Sequence, residues 1–297
     1  MKNNFNFFYF VIFLVFFFNL SANSNEIFNF DISEIEISDN GNKIKGLNKG
    51  KISTNDGLII DADNFELDKT LNLLIASGNI KIKDKKQDLI IFADKISYNK
   101  NKEIITGEGN IKYFNDSIEI EANKFQYFKK NQILSVEENV LAKDNLKDLI
   151  ILSDKIIYYK TDKKIVTKNY TKAVIYSKYE FISKNVIYSK NQKELSSNYK
   201  TKIIQNSQQL LGFEKFTFNI ENEMLKAENI FFNDNIKNPK GLSNSLFLKD
   251  GFFDLKNKEF VASKTEIKLE KKTFDNFDND PRLLGASSSS NIGVTTI

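Results

Sequence analysis

The residues of this 297-residue chain that could carry chemistry are carboxylates. Glu137 with Glu138, and Asp61 with Asp63, are pairs of the kind a glycosidase or a calcium site uses. Gly107-Glu108-Gly109 looks like half of a phosphate-cradling loop. Each has a plainer account. The carboxylates fall on the outer face of an extended stretch or in a turn. The glycines lie between strand-like segments with no helix after them, so no helix N-terminus awaits a phosphate. The chain has no histidine and no cysteine, which removes triads built on either residue, most transition-metal sites, disulfide frameworks and a lipoprotein anchor. Arg282 is the only arginine and the net charge is +4, so the many lysines read as solvated faces and edge-strand protection rather than as a nucleic-acid surface. The chain therefore reads as no enzyme, with no cofactor and no metal.

What the sequence does carry is a repeat. The phrase Leu89-Ile90-Ile91-Phe92-Ala93-Asp94-Lys95-Ile96 has an earlier copy at Leu58 to Phe65 and later copies at Ile118 to Phe125, Leu149 to Ile156 and Tyr179 to Val186, with a degenerate one from Gln209. Aligned on Ala62, Ala93, Ala122, Ser153, Ser183 and Phe213, the steps are 31, 29, 31, 30 and 30 residues. A fixed period over most of a chain points to stacked supersecondary units rather than separate globular domains. A second phrase follows in each unit, Gly78-Asn79-Ile80 and Gly109-Asn110-Ile111, becoming Glu138-Asn139-Val140 and Glu228-Asn229-Ile230. Both Gly and Asn tolerate positive φ, so this phrase is expected to be a turn. The unit then reads strand, turn, strand, turn, short strand. With 27 Phe, 11 Tyr, abundant Ile and only two prolines, the composition favours pleated sheet.

Strand parity divides the faces. Leu58, Ile60 and Ala62 alternate with Ile59 and Asp61, and Ile118, Ile120 and Ala122 alternate with Glu119 and Glu121. The next apolar pair, Phe65 and Leu67 or Ile96 and Tyr98, is out of step with the first set. A bulge near Asp63, Asp94 and Asn123 brings both sets to one side. The expected fold is all-β, an elongated twisted jellyroll of about six 30-residue repeats curled over one apolar interior. Such stripes by themselves are what any sandwich, barrel or solenoid core presents.

The termini add context. Met1 to Ser24 has Lys2, an apolar run from Phe5 to Leu20, and small residues at Ala22 and Ser24, the pattern of a cleaved secretory signal peptide over 1–24. With the repeats behind such a leader, the paired phrases Leu89 to Tyr98 and Thr106 to Tyr113 resemble the OstA-like β-jellyroll domain of lipopolysaccharide transport proteins. That family includes the periplasmic bridge LptA, the anchored LptC and the N-terminal part of LptD. The resemblance covers roughly Asp31 to Leu269, which gives a jellyroll domain at 25–272. The segment 273–297 contains Asn279-Asp280-Pro281-Arg282-Leu283-Leu284-Gly285, similar to the stretch that leads from jellyroll to barrel in LptD proteins, with Leu284 where a basic residue is more usual. It is expected to be a linker toward an outer-membrane barrel that the sequence does not contain, as in a fragment of a longer protein.

The resemblance implies a periplasmic conduit associated with the outer membrane, in which the apolar interior shields lipopolysaccharide acyl chains. Its implied partners are lipopolysaccharide, other LptA-like jellyrolls joined by edge-strand addition, and an LptE-like lipoprotein where a barrel follows, with no nucleic acid. A free-standing LptA-like bridge and a structural or adhesive surface solenoid are the alternatives. Resemblance and parity together place Leu58, Ile60, Ala62, Ile80, Ile82, Leu89, Ile91, Ala93, Ile111, Tyr113, Ile118, Ile120, Ala122, Val140, Leu149, Ile151, Tyr179 and Phe181 in the lipid groove. Cysteines that couple this domain to the barrel in many LptD proteins are missing here.

Overall fold

The structure, a computed structural model, describes residues 28–205, 208–233, 244–269, 281–291 and 294–296. The expected signal peptide lies outside them. The described chain is one antiparallel meander in which each pass pairs with the passes before and after it, some passes being broken into two strands. It runs through β1 (Asn29–Ser38), β2 (Lys43–Ser53), β3 (Leu58–Ala62), β4 (Asn64–Asp68), β5 (Leu73–Asp84), β6 (Leu89–Asn99), β7 (Ile104–Asn115) and β8 (Ile118–Phe128). It continues through β9 (Ile133–Asp144), β10 (Leu149–Tyr159), β11 (Lys164–Ile175), β12 (Tyr179–Lys184), β13 (Ile187–Ser189), β14 (Glu194–Ser197) and β15 (Thr201–Gln205). The remainder is β16 (Gln208–Phe213), β17 (Lys215–Asn219), β18 (Met224–Asn233), β19 (Ser245–Asp254), β20 (Glu259–Lys268), β21 (Arg282–Asn291) and β22 (Val294–Thr296). Segments β3 and β4 are two halves of one pass, since both pair with β2 and with β5. Segments β12 and β13 are likewise both paired to β11. The next two passes are broken in the same way, into β14 with β15 and β16 with β17.

The middle of each pass holds the feature that shapes the sheet. In β8 the side chains of Ile118, Ile120 and Ala122 are buried, Asn123 and Lys124 are both exposed, and Phe125 and Tyr127 are buried again. β6 repeats this pattern residue for residue. Two outward residues in succession shift the parity, so both halves of the strand direct their apolar side chains inward. The pairing register shows the same slip: between β7 and β8 it passes from Glu108 opposite Lys124 to Ile111 opposite Ala122. Equivalent slips separate Phe92 from Lys95 and Ser153 from Lys155.

The Gly-Asn phrase is where the structure departs from the sequence reading. Gly109 and Asn110 do have positive φ, +80° and +47°, yet the chain does not reverse there. It runs straight on through β7, and the pair is the bulge opposite Asp94. The Asp94 carboxylate accepts a hydrogen bond from Asn110 Nδ2 at 2.8 Å, and Asp63 accepts one from Asn79 at 2.7 Å. A left-handed pair reverses a chain only when the flanking residues are free to pair with each other; here both flanks are already held by the neighbouring strands. Each repeat is therefore two long strands. The segment expected to lead away from the sheet also joins it in part, because Arg282–Asn291 pairs along β20 from Lys268 opposite Arg282 to Phe260 opposite Ser290. Thr265 Oγ1 donates to Ser288 Oγ at 2.6 Å in that pairing, and the small serines let the strand lie close.

The inward faces merge into one continuous apolar core from Phe28 to Ala262. At Gly109 a Cβ would stand 2.3 Å from Asp94 Oδ2 and 2.8 Å from Asp94 Cβ. Gly109→Ala should therefore cost about 1–2 kcal/mol, from the left-handed backbone and the displaced carboxylate. Urea unfolding measures it, and an unchanged midpoint would show that the bulge tolerates a side chain.

Candidate functional site

The candidate site is the interior and the line along which it closes. All eighteen residues assigned to the groove are buried, none more than 6% exposed. They come only from the half of each strand that carries the first phrase and from its partner in the next strand. The other wall of the interior, missing from that set, is made by Phe65, Leu67, Leu74, Ile96, Tyr98, Ile105, Phe125, Tyr127, Leu134 and Tyr158, all buried. The walls touch: Tyr113 meets Tyr158 edge-on with centroids 5.9 Å apart, and Phe181 stacks on Phe216 at 5.2 Å. Such ring pairs contribute about 0.5–1.5 kcal/mol beyond the area they bury.

The interior is closed by a seam between the two sets of strand ends. One lip consists of the turns after β2, β5, β7, β9 and β11, and the other of the turns after β6, β8, β10, β13 and β17. Side-chain contacts join the lips at a regular offset. Tyr158 Oη donates to Asn115 Oδ1 at 3.3 Å, 43 residues away, and Tyr188 Oη donates to Asp144 Oδ2 at 2.6 Å, 44 residues away. Tyr176 Oη donates to the Ile220 carbonyl at 3.0 Å, again 44 residues away. A second offset carries lysines: Lys190 Nζ donates to Asp116 Oδ2 and Ser117 Oγ, each at 2.7 Å, over 74 and 73 residues. Lys178 and Tyr179 both donate to Glu223 Oε2 at 2.7 Å.

The most buried ionic part of the seam is Lys129. Its Nζ donates to Asp56 Oδ2 at 2.5 Å and stands 3.5 Å from Asp84 Oδ2, with Lys100 Nζ 3.1 Å from the same Asp56 oxygen. The side chains of Lys129 and Asp84 are 8% and 0% exposed. Burial opposes the charge on Lys129, but the Asp56 hydrogen bond and the two carboxylates outweigh it and hold the ammonium pKa above its ordinary value. Burial likewise raises Asp56, and the hydrogen bonds from Lys129, Thr54 and Lys100 overcome this, keeping its carboxyl well below the usual range.

Sequence reasoning on apolar stripes overlooked these seam residues, although the signal was present in the same period. Thr54, Asp84, Asn115, Asp144 and Ile175 recur at the end of alternate strands, and Tyr98, Tyr127, Tyr158, Tyr188 and Phe218 recur on the opposite lip. Asn115 and Asp144 of the first column meet Tyr158 and Tyr188 of the second, and at the same spacing along the sequence Ile175 in the first column corresponds to Phe218 in the second.

Removing one member of a buried ion pair leaves the other charge uncompensated, so Lys129→Met should lower stability by about 3 kcal/mol at neutral pH. The sign of the pH dependence follows from the shifts. The depressed Asp56 stabilises above its unfolded value, and that contribution is lost as pH falls through the folded one. The raised Lys129 stabilises below its unfolded value and loses that contribution only in strong alkali. The gap between wild type and variant should thus be constant near neutrality and shrink below about pH 4. Urea titrations at several pH values check this, and a gap that widens in acid would contradict it.

Residues 59–164 match the family described as LptA/(LptD N-terminal domain) LPS transport protein. That stretch runs from β3 to the start of β11 and includes the Asp63, Asp94 and Asn123 bulges and Lys129, Asp84 and Lys100, while Asp56 precedes it. A search of solved structures finds the crystal structure of LptH, the LptA homologous periplasmic component of the conserved lipopolysaccharide transport device from Pseudomonas aeruginosa. It is 15% identical, covers 37% of this chain and 81% of that one, and has a TM-score of 0.35. Curated proteins give no match. Over residues 59–164, then, the chain is similar to the LptA/LptD N-terminal family.

Proposed function

We propose that this protein acts in lipopolysaccharide transport as a conduit, holding acyl chains within the jellyroll while the sugars stay in water, and passing them toward the outer membrane. The observation that carries this reading is the unbroken apolar interior, inward on both halves of every bulged strand, within a domain of the transport family. A conduit needs that continuity. At about 0.8 kcal/mol per methylene, drawing a twelve-carbon chain into water costs on the order of 10 kcal/mol, so a gap in the track would stop transfer. Movement between two similar tracks costs little, and the direction must be imposed by an energy source elsewhere.

In the closed form the two walls pack on each other, so uptake requires the seam to part. The polar contacts along it suit that role, since they can exchange partners with water when the lips separate. Export through the 1–24 signal peptide, a jellyroll over 25–272 and a continuation beyond it belong to the same proposal, with LptA-like jellyrolls as neighbours along the track.

Parity supplies the test. A photo-crosslinking side chain at Ile91 or Ile120, both fully buried, should capture lipopolysaccharide, whereas one at Glu119 on the outer face should not. Equal capture from both faces would overturn the assignment of the interior as the lipid path.

A further inference from the structure

Three tyrosine hydroxyls in the interior have no hydrogen-bond partner. They belong to Tyr98, Tyr113 and Tyr127, each no more than 1% exposed. Asp84 Oδ2, on the facing lip, is buried with no donor in full hydrogen-bond geometry, the Lys129 ammonium standing 3.5 Å away. Buried polar groups are almost always satisfied, and one left unpaired costs about as much as a lost hydrogen bond.

The neighbouring repeats show that the fold has two ways to avoid this. Tyr158 and Tyr188, one and two periods after Tyr127, donate to Asn115 and Asp144. One period further on, the buried Phe218 fills the place with no hydroxyl. Tyr98 and Tyr127 adopt neither solution. Their surroundings are also particular. Burial raises both phenols, and the Asp84 carboxylate adds to the effect on each; Tyr113 is raised by burial and by Tyr158 and Tyr127 beside it. Tyr98 and Tyr127, both opposite Ile105 in the pairing, therefore lie near Asp84 and the charged seam formed by Asp56, Lys100 and Lys129, and Tyr113 lies beside Tyr127 on the facing wall.

We infer that Tyr98, Tyr113 and Tyr127 form a hydrogen-bonding subsite for the carbonyl oxygens that link acyl chains to the head of an amphiphile. The inference rests on the conduit reading and adds depth to it. In any acylated lipid the ester or amide carbonyl sits where hydrocarbon ends and polar head begins; Tyr98 and Tyr127 lie at that boundary in the protein, with Tyr113 beside Tyr127. A phenol is a good donor to a carbonyl and carries no charge to desolvate, so it can hold the linkage without trapping it. Binding would satisfy donors that the empty fold leaves unpaired, and would set how far the chains sink before the head meets the lysines.

The test uses the full chain and a triple variant, Tyr98→Phe with Tyr113→Phe and Tyr127→Phe. The probes are a palmitoyl lysophosphatidylcholine and its hexadecyl ether analogue, which lacks only the carbonyl, with lipopolysaccharide titrated alongside in calorimetry. Wild type should bind the ester about tenfold more tightly than the ether, and the variant should bind both at the ether's affinity. The variant's urea midpoint should be unchanged or raised, because an unpaired hydroxyl is removed. Equal affinity for ester and ether in wild type, or lipopolysaccharide binding without ester binding, would overturn the subsite and leave the conduit standing. A lowered urea midpoint would show that the hydroxyls already have partners, such as enclosed water, and would also overturn it. Failure to bind any of the three lipids would remove the conduit and the subsite together.

Discussion

In a strictly alternating strand, the fifth and eighth residues lie on opposite faces, and a strand of eleven residues can bury only one side of itself. Here Ala122 and Phe125 are both buried because Asn123 and Lys124 face outward in succession, and the same break recurs along the sheet. Everything else in the structure depends on that slip. It lets one strand line two walls, and two walls lined by the same strands must meet at the strand ends. A sheet without the slip would present half of its apolar residues to water, so the repeated bulge and the closed interior are one requirement seen at two scales.

The seam follows from closure. Strand ends carry unpaired backbone groups and turn residues, which are polar, so the place where the walls meet cannot be as apolar as the lining. The chain resolves this with a graded boundary. Carboxylates and lysines join the strand ends, the buried Tyr158 and Tyr188 reach strand-end residues with their hydroxyls, and the apolar lining continues beneath them. Lys129 between Asp56 and Asp84 and Lys190 on Asp116 fasten the lips from outside. Tyr158 and Tyr188 fasten them from within. Such a boundary is what an amphiphile itself presents, and a seam of hydrogen bonds and ion pairs opens at less cost than a continuous backbone ladder would.

Much of this was legible in the sequence. The period near thirty residues, the inward parity of Ile118, Ile120 and Ala122, and the need for a bulge near Asp94 follow from the pattern of apolar residues, because burial is periodic and leaves a periodic trace. Gly109-Asn110 was misread as a reversal because left-handed backbone serves turns and bulges alike, and only the pairing of both flanks decides between them. The seam was missed for a different reason. Asp84, Asn115 and Asp144 each sit where a strand ends, and a polar residue there reads as ordinary turn chemistry until its contact 43 to 45 residues later is seen. The inward face of Tyr98 and Tyr127 was foreseeable; that their hydroxyls would lack partners was not, since satisfaction depends on the opposite wall.

The central claim is that lipid reaches the interior by parting the seam. The absence of cysteine makes a pair of introduced thiols unique, so spin labels at Lys86 and Lys130, exposed residues in the facing turns beside Asp84 and Lys129, can report the width of the seam by pulsed dipolar spectroscopy. A single short distance in the free protein that lengthens when lipopolysaccharide is bound is the result this account predicts. A distance unchanged on saturation with lipopolysaccharide would contradict it, and would mean that the acyl chains never pass between the lips.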